Sequence, residues 1–375
     1  MLRSLVGSEM CIRDSAMSHP LPAGDWKPRP VPPPPDARPV ETLAACLAQW
    51  AGSAPGIDWC GPPLSGAPAA GAHEPARDCL ARTEDWLAGR LAAAARRTGT
   101  PAPLPLLHDP HGQVPWRAAD LLASAAARGA QGLILETAPS HSPLAHPLQS
   151  HTPEGVHVYT PAFSGELAAL LTHAMTRWTQ GLPIGLMCIR VLPHTLPSPD
   201  LPRSFAAGIV RGLYLLVADA AERAVRLQLL ASGASLAPAL DAALVLRERH
   251  GLAVDVWSVT SYAGTLRAAQ TAGTSPDAAG LAAQMAHSHG PILAVADAPR
   301  SVPETWRSLL PPTRPFEALG WDDTHPAGPV GWHGGGPAGA QRIVDRALAV
   351  CESEARHQAD DRQRHWASIA STASI

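Results

Sequence analysis

The chain has 375 residues, 46% of them apolar, with a mean hydropathy of −0.02 and a formal net charge of −3. That length can bury two separate cores, while the charge gives no electrostatic reason to expect nucleic acid or an anionic membrane as partner. No apolar run reaches the roughly 20 residues that cross a bilayer.

Ala, Pro and Gly dominate and Lys is almost absent, a composition typical of a GC-rich bacterial genome. The cysteines Cys11, Cys46, Cys60, Cys79, Cys188 and Cys351 form no Cys-x-x-Cys pair. Neither a disulfide framework nor a zinc knuckle is expected, and reduced cytoplasmic thiols are the simpler reading. Residues 1–15, MLRSLVGSEMCIRDS, resemble translated sequencing-adapter read-through and are set aside. Residues 16–38 hold too many prolines for helix or sheet and predict an extended linker, with a missing upstream segment as one implication.

A helix is expected over 40–50, a Gly/Pro/Ala-rich loop over 51–78, and a second helix over 82–97 with Thr83 as cap and Glu84 in its first turn. A third helix over 117–128 ends at Gly129. Apolar strands follow at 132–136, 156–160 and 183–190, with a helix over 164–178 between the last two. After the Pro-rich crossing 192–203, strands at 225–231, 253–259 and 291–297 alternate with helices at 235–250, 275–287 and 302–309. A last helix spans 338–354, and the polar tail 355–375 is expected to fray. Short apolar strands alternating with helices predict an α/β chain with two consecutive doubly wound, mostly parallel sheets. The expected domains are 39–203 and 204–354.

The run LQLLASGASLAPALDAALVLRERHGLAVDVWSVTSY, 227–262, closely resembles the C-terminal domain of the homodimeric, decarboxylating component of pyruvate dehydrogenase. AAGIVRGLYLL, 206–216, resembles the segment entering that domain, and GPILAVADAPRSVPETWRSLLPPTRPFEALGWDD, 290–323, its later strands and helix. VYTPAFSGELAALLTHAM, 158–175, is similar to the late part of the family's pyrimidine-binding domain. More faint likeness extends back through TEDWLAGRLAAAA and WRAADLLASAAARGAQGLILETA. The resemblance implies a transketolase-like pyrimidine-binding domain followed by a transketolase C-terminal-like domain.

It also implies thiamine diphosphate chemistry, in which the cofactor carries the difficult step and the protein orients it. By resemblance, Glu84 stands where the family places its cofactor-activating Glu, with a solvated helix carboxylate as the alternative. His146 is the best positional substitute for the family's substrate-facing His, with His141 as rival; His151 and His157 complete a His-rich stretch whose first reading is loop residues without a special task. Pro143, Pro147 and Pro153 exclude one helix presenting zinc ligands there. Trp116 is the one residue of HDPHGQVPWR, 108–117, able to supply the flat face expected against the pyrimidine ring.

The family's Gly-Asp-Gly…Asn-Asn diphosphate and magnesium signature does not occur after Met17. The expectation is therefore part of a thiamine-diphosphate-dependent pyruvate dehydrogenase, inactive alone. It would need a dimer partner or a separate diphosphate-binding chain, and would pass acetyl groups to a lipoyl acyltransferase. The alternatives are a non-catalytic structural or regulatory dimer partner and a transketolase-like synthase half. The WHGGGPAG run, 332–339, has no Lys and makes a poor phosphate loop.

Overall fold

The computed structural model describes residues 39–51, 56–62, 64, 76–95, 102–110, 112–137, 152–192, 196, 198–199, 201, 203–221, 225–271, 288–320 and 337–372. They form two five-stranded sheets in series along the chain.

The first sheet contains β1 (Ile57–Cys60), β2 (Leu104–Asp109), β3 (Gly132–Glu136), β4 (Val156–Tyr159) and β5 (Leu186–Arg190), in the order β1-β2-β3-β5-β4 with every pairing parallel. Its helices are α1 (Pro39–Ala51), α2 (Ala76–Ala95), α3 (Val114–Arg117), α4 (Ala119–Ala127) and α5 (Ser164–Thr179). Strand order dictates where they lie. The chain steps one way from β1 to β4 and back from β4 to β5, so right-handed crossovers put α2, α3 and α4 on one face and α5 on the other. Alternation within the strands supplies both faces. Leu104, Leu106, Leu133, Leu135, Met187 and Ile189 meet α1 and α5, while Leu107, Ile134, Leu186 and Cys188 meet α2 and α4.

After α6 (Ala206–Arg211), the second sheet contains β6 (Tyr214–Val217), β7 (Arg226–Ala231), β8 (Ala253–Ser258), β9 (Ile292–Val295) and β10 (Phe316–Leu319), in the order β10-β9-β7-β8-β6. Only β6 runs antiparallel to its neighbour, β8. The chain enters β6 through Gly212, whose φ is +103° and where a Cβ would stand 2.6 Å from the Ser261 carbonyl oxygen, so a side chain has no room. Helix α7 (Leu236–His250) and the long α10 (Pro337–Thr372) cover one face, burying Leu229, Val256 and Leu293 with Leu246, Ile343 and Ala347. Helix α8 (Tyr262–Thr271) and the short α9 (Ser301–Glu304), with the 3-10 turn after it, cover the other, where Leu230, Trp257 and Ala294 pack with Tyr262 and Trp306.

The expected α/β class and two mostly parallel sheets are borne out. Several boundaries differ. Helix α2 begins at Ala76, six residues before the expected start, so Glu84 lies in its third turn and Thr83 is a buried residue within it, not a cap. The expected 117–128 helix is broken at Ala118 into α3 and α4. Strand β1 lies inside the stretch expected to be loop, and β2 and α8 were not anticipated. The tail expected to fray is helical to Thr372. The helix expected over 275–287 lies outside the described residues except for its surroundings.

Candidate functional site

The C-terminal ends of the two sheets face each other. Strand β4 runs out at Thr160, whose N–H donates to the Thr260 carbonyl beyond β8 at 2.7 Å. Arg190, the last residue of β5, lies 3.8 Å from the Asp297 carboxylate beyond β9. Its Nη1 also donates to the Asp297 carbonyl at 3.4 Å.

On the first sheet's side, Asp109, Glu136 and Arg190 end β2, β3 and β5 in register, forming a row of charged residues at the rim of apolar strands. Asp109 and Glu136 are buried, and the Asp109 Oδ2 accepts the Val114 N–H at 2.6 Å, anchoring the start of α3. His108, buried beside the Trp59 ring, has Nδ1 2.6 Å from the Pro62 carbonyl. Only a protonated Nδ1 can use that carbonyl, so in the neutral ring Nε2 accepts the Thr137 hydroxyl 2.8 Å away. Gly61 makes the approach possible: at φ +114°, a Cβ would fall 2.6 Å from the His108 carbonyl oxygen.

On the second sheet's side, β7 and β9 are neighbours from which the chain departs in opposite directions, the position where open α/β sheets bind ligands. A small crevice, open to solvent, lies there. Thr160 from β4's end, Ser232, Ser261 and Asp297 give it polar walls, with Ala298 and Val302 as apolar ones. The Ser261 Oγ accepts the Gly264 N–H at 2.9 Å, and the Tyr262 hydroxyl donates to the Val295 carbonyl at 3.0 Å. A Cβ on Gly233 would stand 3.7 Å from Asp297 Oδ2, so the protein's own carboxylate sits at the turn leading into α7. Such turns otherwise favour phosphate. This one is electrostatically answered from within.

The structure brings together the helices of two predicted site residues and leaves others outside its reach. Glu84 is exposed on α2, which packs with α3 and α4 through Trp86, Leu87, Val114 and Leu122. Trp116 belongs to α3, and its side chain lies outside the described ones. His141, His146 and His151 lie outside the described residues, as do residues 332–336 of the Gly-rich run. His157 is on β4, with Nδ1 3.3 Å from Arg267 Nη1. Burial, then the charge of Arg267, pulls its pKa down to about 4. Residues 108–109, 136, 190 and 297 were not singled out from the sequence. Their signal was a charged or polar residue closing an apolar strand, as in LLHD, LILE, CIR and AVAD.

Among the described residues, no group of three His, Cys, Asp or Glu side chains could hold a metal ion, and no helix is long and apolar enough to cross a membrane. The row at the first sheet's rim offers engaged polar groups, His108 and Asp109, where a bound heterocycle calls for an apolar face.

Residues 212–321 match the family described as Transketolase-like TK C-terminal domain. The pyruvate dehydrogenase E1 component of Mycobacterium tuberculosis is 32% identical over 232 residues, covering 56% of this chain and 24% of that protein. The protein of the same name from Pseudomonas aeruginosa is 27% identical over 228 residues, covering 56% of this chain and 25% of its own length. The chain thus spans about a quarter of these curated relatives. A solved structure titled split gene transketolase, inactive beta4 tetramer, superimposes with a TM-score of 0.55 at 16% identity, covering 84% of this chain and 99% of that one. The resemblance carried by 227–262 is borne out by these matches, and the last of them shows the shared fold.

Proposed function

We propose that this chain is one part of a thiamine-diphosphate-dependent 2-oxo acid dehydrogenase of the pyruvate type, acting with a second polypeptide that supplies the diphosphate and metal site. The observation that carries this reading is a two-sheet fold covering 99% of a separately encoded transketolase chain, joined to sequence likeness with pyruvate dehydrogenase E1 components. When bound, thiamine diphosphate would supply the chemistry of 2-oxo acid decarboxylation and acetyl transfer to a lipoyl acyltransferase, with Glu84 and Trp116 the residues of this chain proposed to meet its ring.

This chain's own contribution is narrower. Glu84 is exposed on α2, where its carboxyl group can accept or share a proton with a ring nitrogen brought by a partner. Trp116, on the adjoining α3, is the residue proposed to shelter that ring, and His146 the one proposed to face the substrate.

Titration calorimetry with thiamine diphosphate and magnesium tests the incomplete-site reading: the isolated chain should give no binding heat, and tight binding would overturn it. With a diphosphate-binding polypeptide that restores turnover, Glu84→Ala should lower kcat at least 100-fold, the scale of a lost general acid–base group. Unchanged turnover would remove Glu84 from the mechanism. A second reading, a non-catalytic dimer partner, is favoured by the hydrogen-bonded His108 and Asp109 at the rim. It predicts that no partner restores turnover through this chain.

A further inference from the structure

Glu166 is completely buried, yet the reaction outlined above does not use it. It occupies the third position of α5, and its Oε2 accepts the backbone N–H groups of Ala162 at 2.6 Å and Phe163 at 3.1 Å. Taken alone, that is a helix-capping carboxylate. Its other oxygen faces the second sheet. Oε1 accepts the Tyr214 hydroxyl at 2.7 Å and the Ser258 hydroxyl at 2.5 Å. Tyr214 and Ser258 are register partners on β6 and β8, so the carboxylate grips the antiparallel edge of that sheet at one point.

The packing around this point is interleaved. Tyr214, on the second sheet, belongs to the core formed by Leu167, Leu171 and Ile189 of the first. Phe163 and Ala162, which precede α5, belong to the core formed by Leu229, Val256 and Leu319 of the second. Each sheet has lodged a piece of itself in the other's interior, and the Glu166 carboxylate sits at the crossing.

An apolar side chain could fill this space, and burying a carboxylate is costly unless every lone pair finds a donor. Here four donors converge on two oxygens. Hydrogen bonds have direction where apolar contact does not, so the four together define an angle as well as a contact. We propose that Glu166 is a clasp that fixes the setting of the two sheets, and with it the crevice between Thr160, Ser232, Ser261 and Asp297. The bland alternative is that Glu166 merely caps α5 and touches the second sheet incidentally.

Hydrogen–deuterium exchange on the full chain separates the two. The Tyr214→Phe/Ser258→Ala variant leaves both backbone caps of α5 in place and removes only the far donors. Under the clasp, amide exchange over 162–171 rises about tenfold or more, the effect expected for losing hydrogen bonds to a charged group. Exchange over 256–261 rises with it. Unchanged exchange over 162–171 in that variant would overturn the proposal. Glu166→Ala should raise exchange in 162–171, 213–217 and 256–261 together; a rise confined to 162–171 would leave only the helix cap. If Glu166→Ala does not fold, the Tyr214→Phe/Ser258→Ala result alone decides.

Discussion

Acidification should weaken this protein through His157. Its imidazole is partly buried on β4, and Arg267 of α8 lies against it, donating also to the Val156 carbonyl at 2.7 Å. Because an arginine can only donate, Nδ1 must accept and the ring's proton sits on Nε2. The pKa, ordinarily 6.5, is held at about 4, first by burial and then by the charges of Arg267, His173 and Arg177. The sign follows. Above pH 6.5 the ring is neutral in both folded and unfolded chains, so it contributes no pH dependence. Between 6.5 and 4 the unfolded chain takes up a proton that the folded one refuses, and stability falls with pH. At 1.36 kcal/mol for each tenfold, the loss accumulates to about 3 kcal/mol at pH 4. Against a typical total of about 5–15 kcal/mol that is a substantial fraction. Urea unfolding measured from pH 7.5 to 4 should therefore show a falling midpoint, and His157→Gln, neutral throughout, should flatten that fall by about this amount. An identical pH slope in the two proteins would refute the account.

Three other outcomes can be measured by the same denaturation. Gly61→Ala should destabilise by about 1–3 kcal/mol, because φ +114° strains any L side chain and the new Cβ meets the His108 carbonyl. Asp255 accepts the Asp219 N–H, Arg226 and Gln228 within the second sheet, while Arg226 keeps the Asp219 and Ala221 carbonyls, so Asp255→Ala should cost about 1–3 kcal/mol, chiefly by leaving the buried Asp219 N–H without its acceptor; a loss below about 0.5 kcal/mol would show the network to be dispensable. Leu170→Ala, at a fully buried position facing the first sheet, should cost about 2–5 kcal/mol without moving far-ultraviolet circular dichroism.

The strands were legible where burial on both faces left a continuous apolar run, as in GLILE and AVDVWS. β1 was not: IDWC sits among glycines and prolines and is an edge strand with an exposed Asp58, so the sequence around it carries the stronger signal. The tail 355–372 was misread for the opposite reason. Its polarity suggested fraying, whereas Ala, Arg and Gln are good helix formers and α10 continues through them to Thr372. The candidate site was hard to read because it is assembled across distance. Arg190 and Asp297 are separated by more than a hundred residues, and no local spacing announces that the ends of two different sheets converge. Glu166 shows the same limit. Its capping position is visible from SGEL, but nothing nearby reveals that Ser258 will supply a donor.

Helix α10 has a geometric consequence. At 1.5 Å per residue its 36 residues reach about 54 Å, whereas the strands it overlies, β9 and β10, have four residues each and run only about 13 Å. Among the residues of α10 whose burial is described, Cys351 is the last buried apolar one, so the apolar grip of α10 on the second sheet comes from about its first four turns.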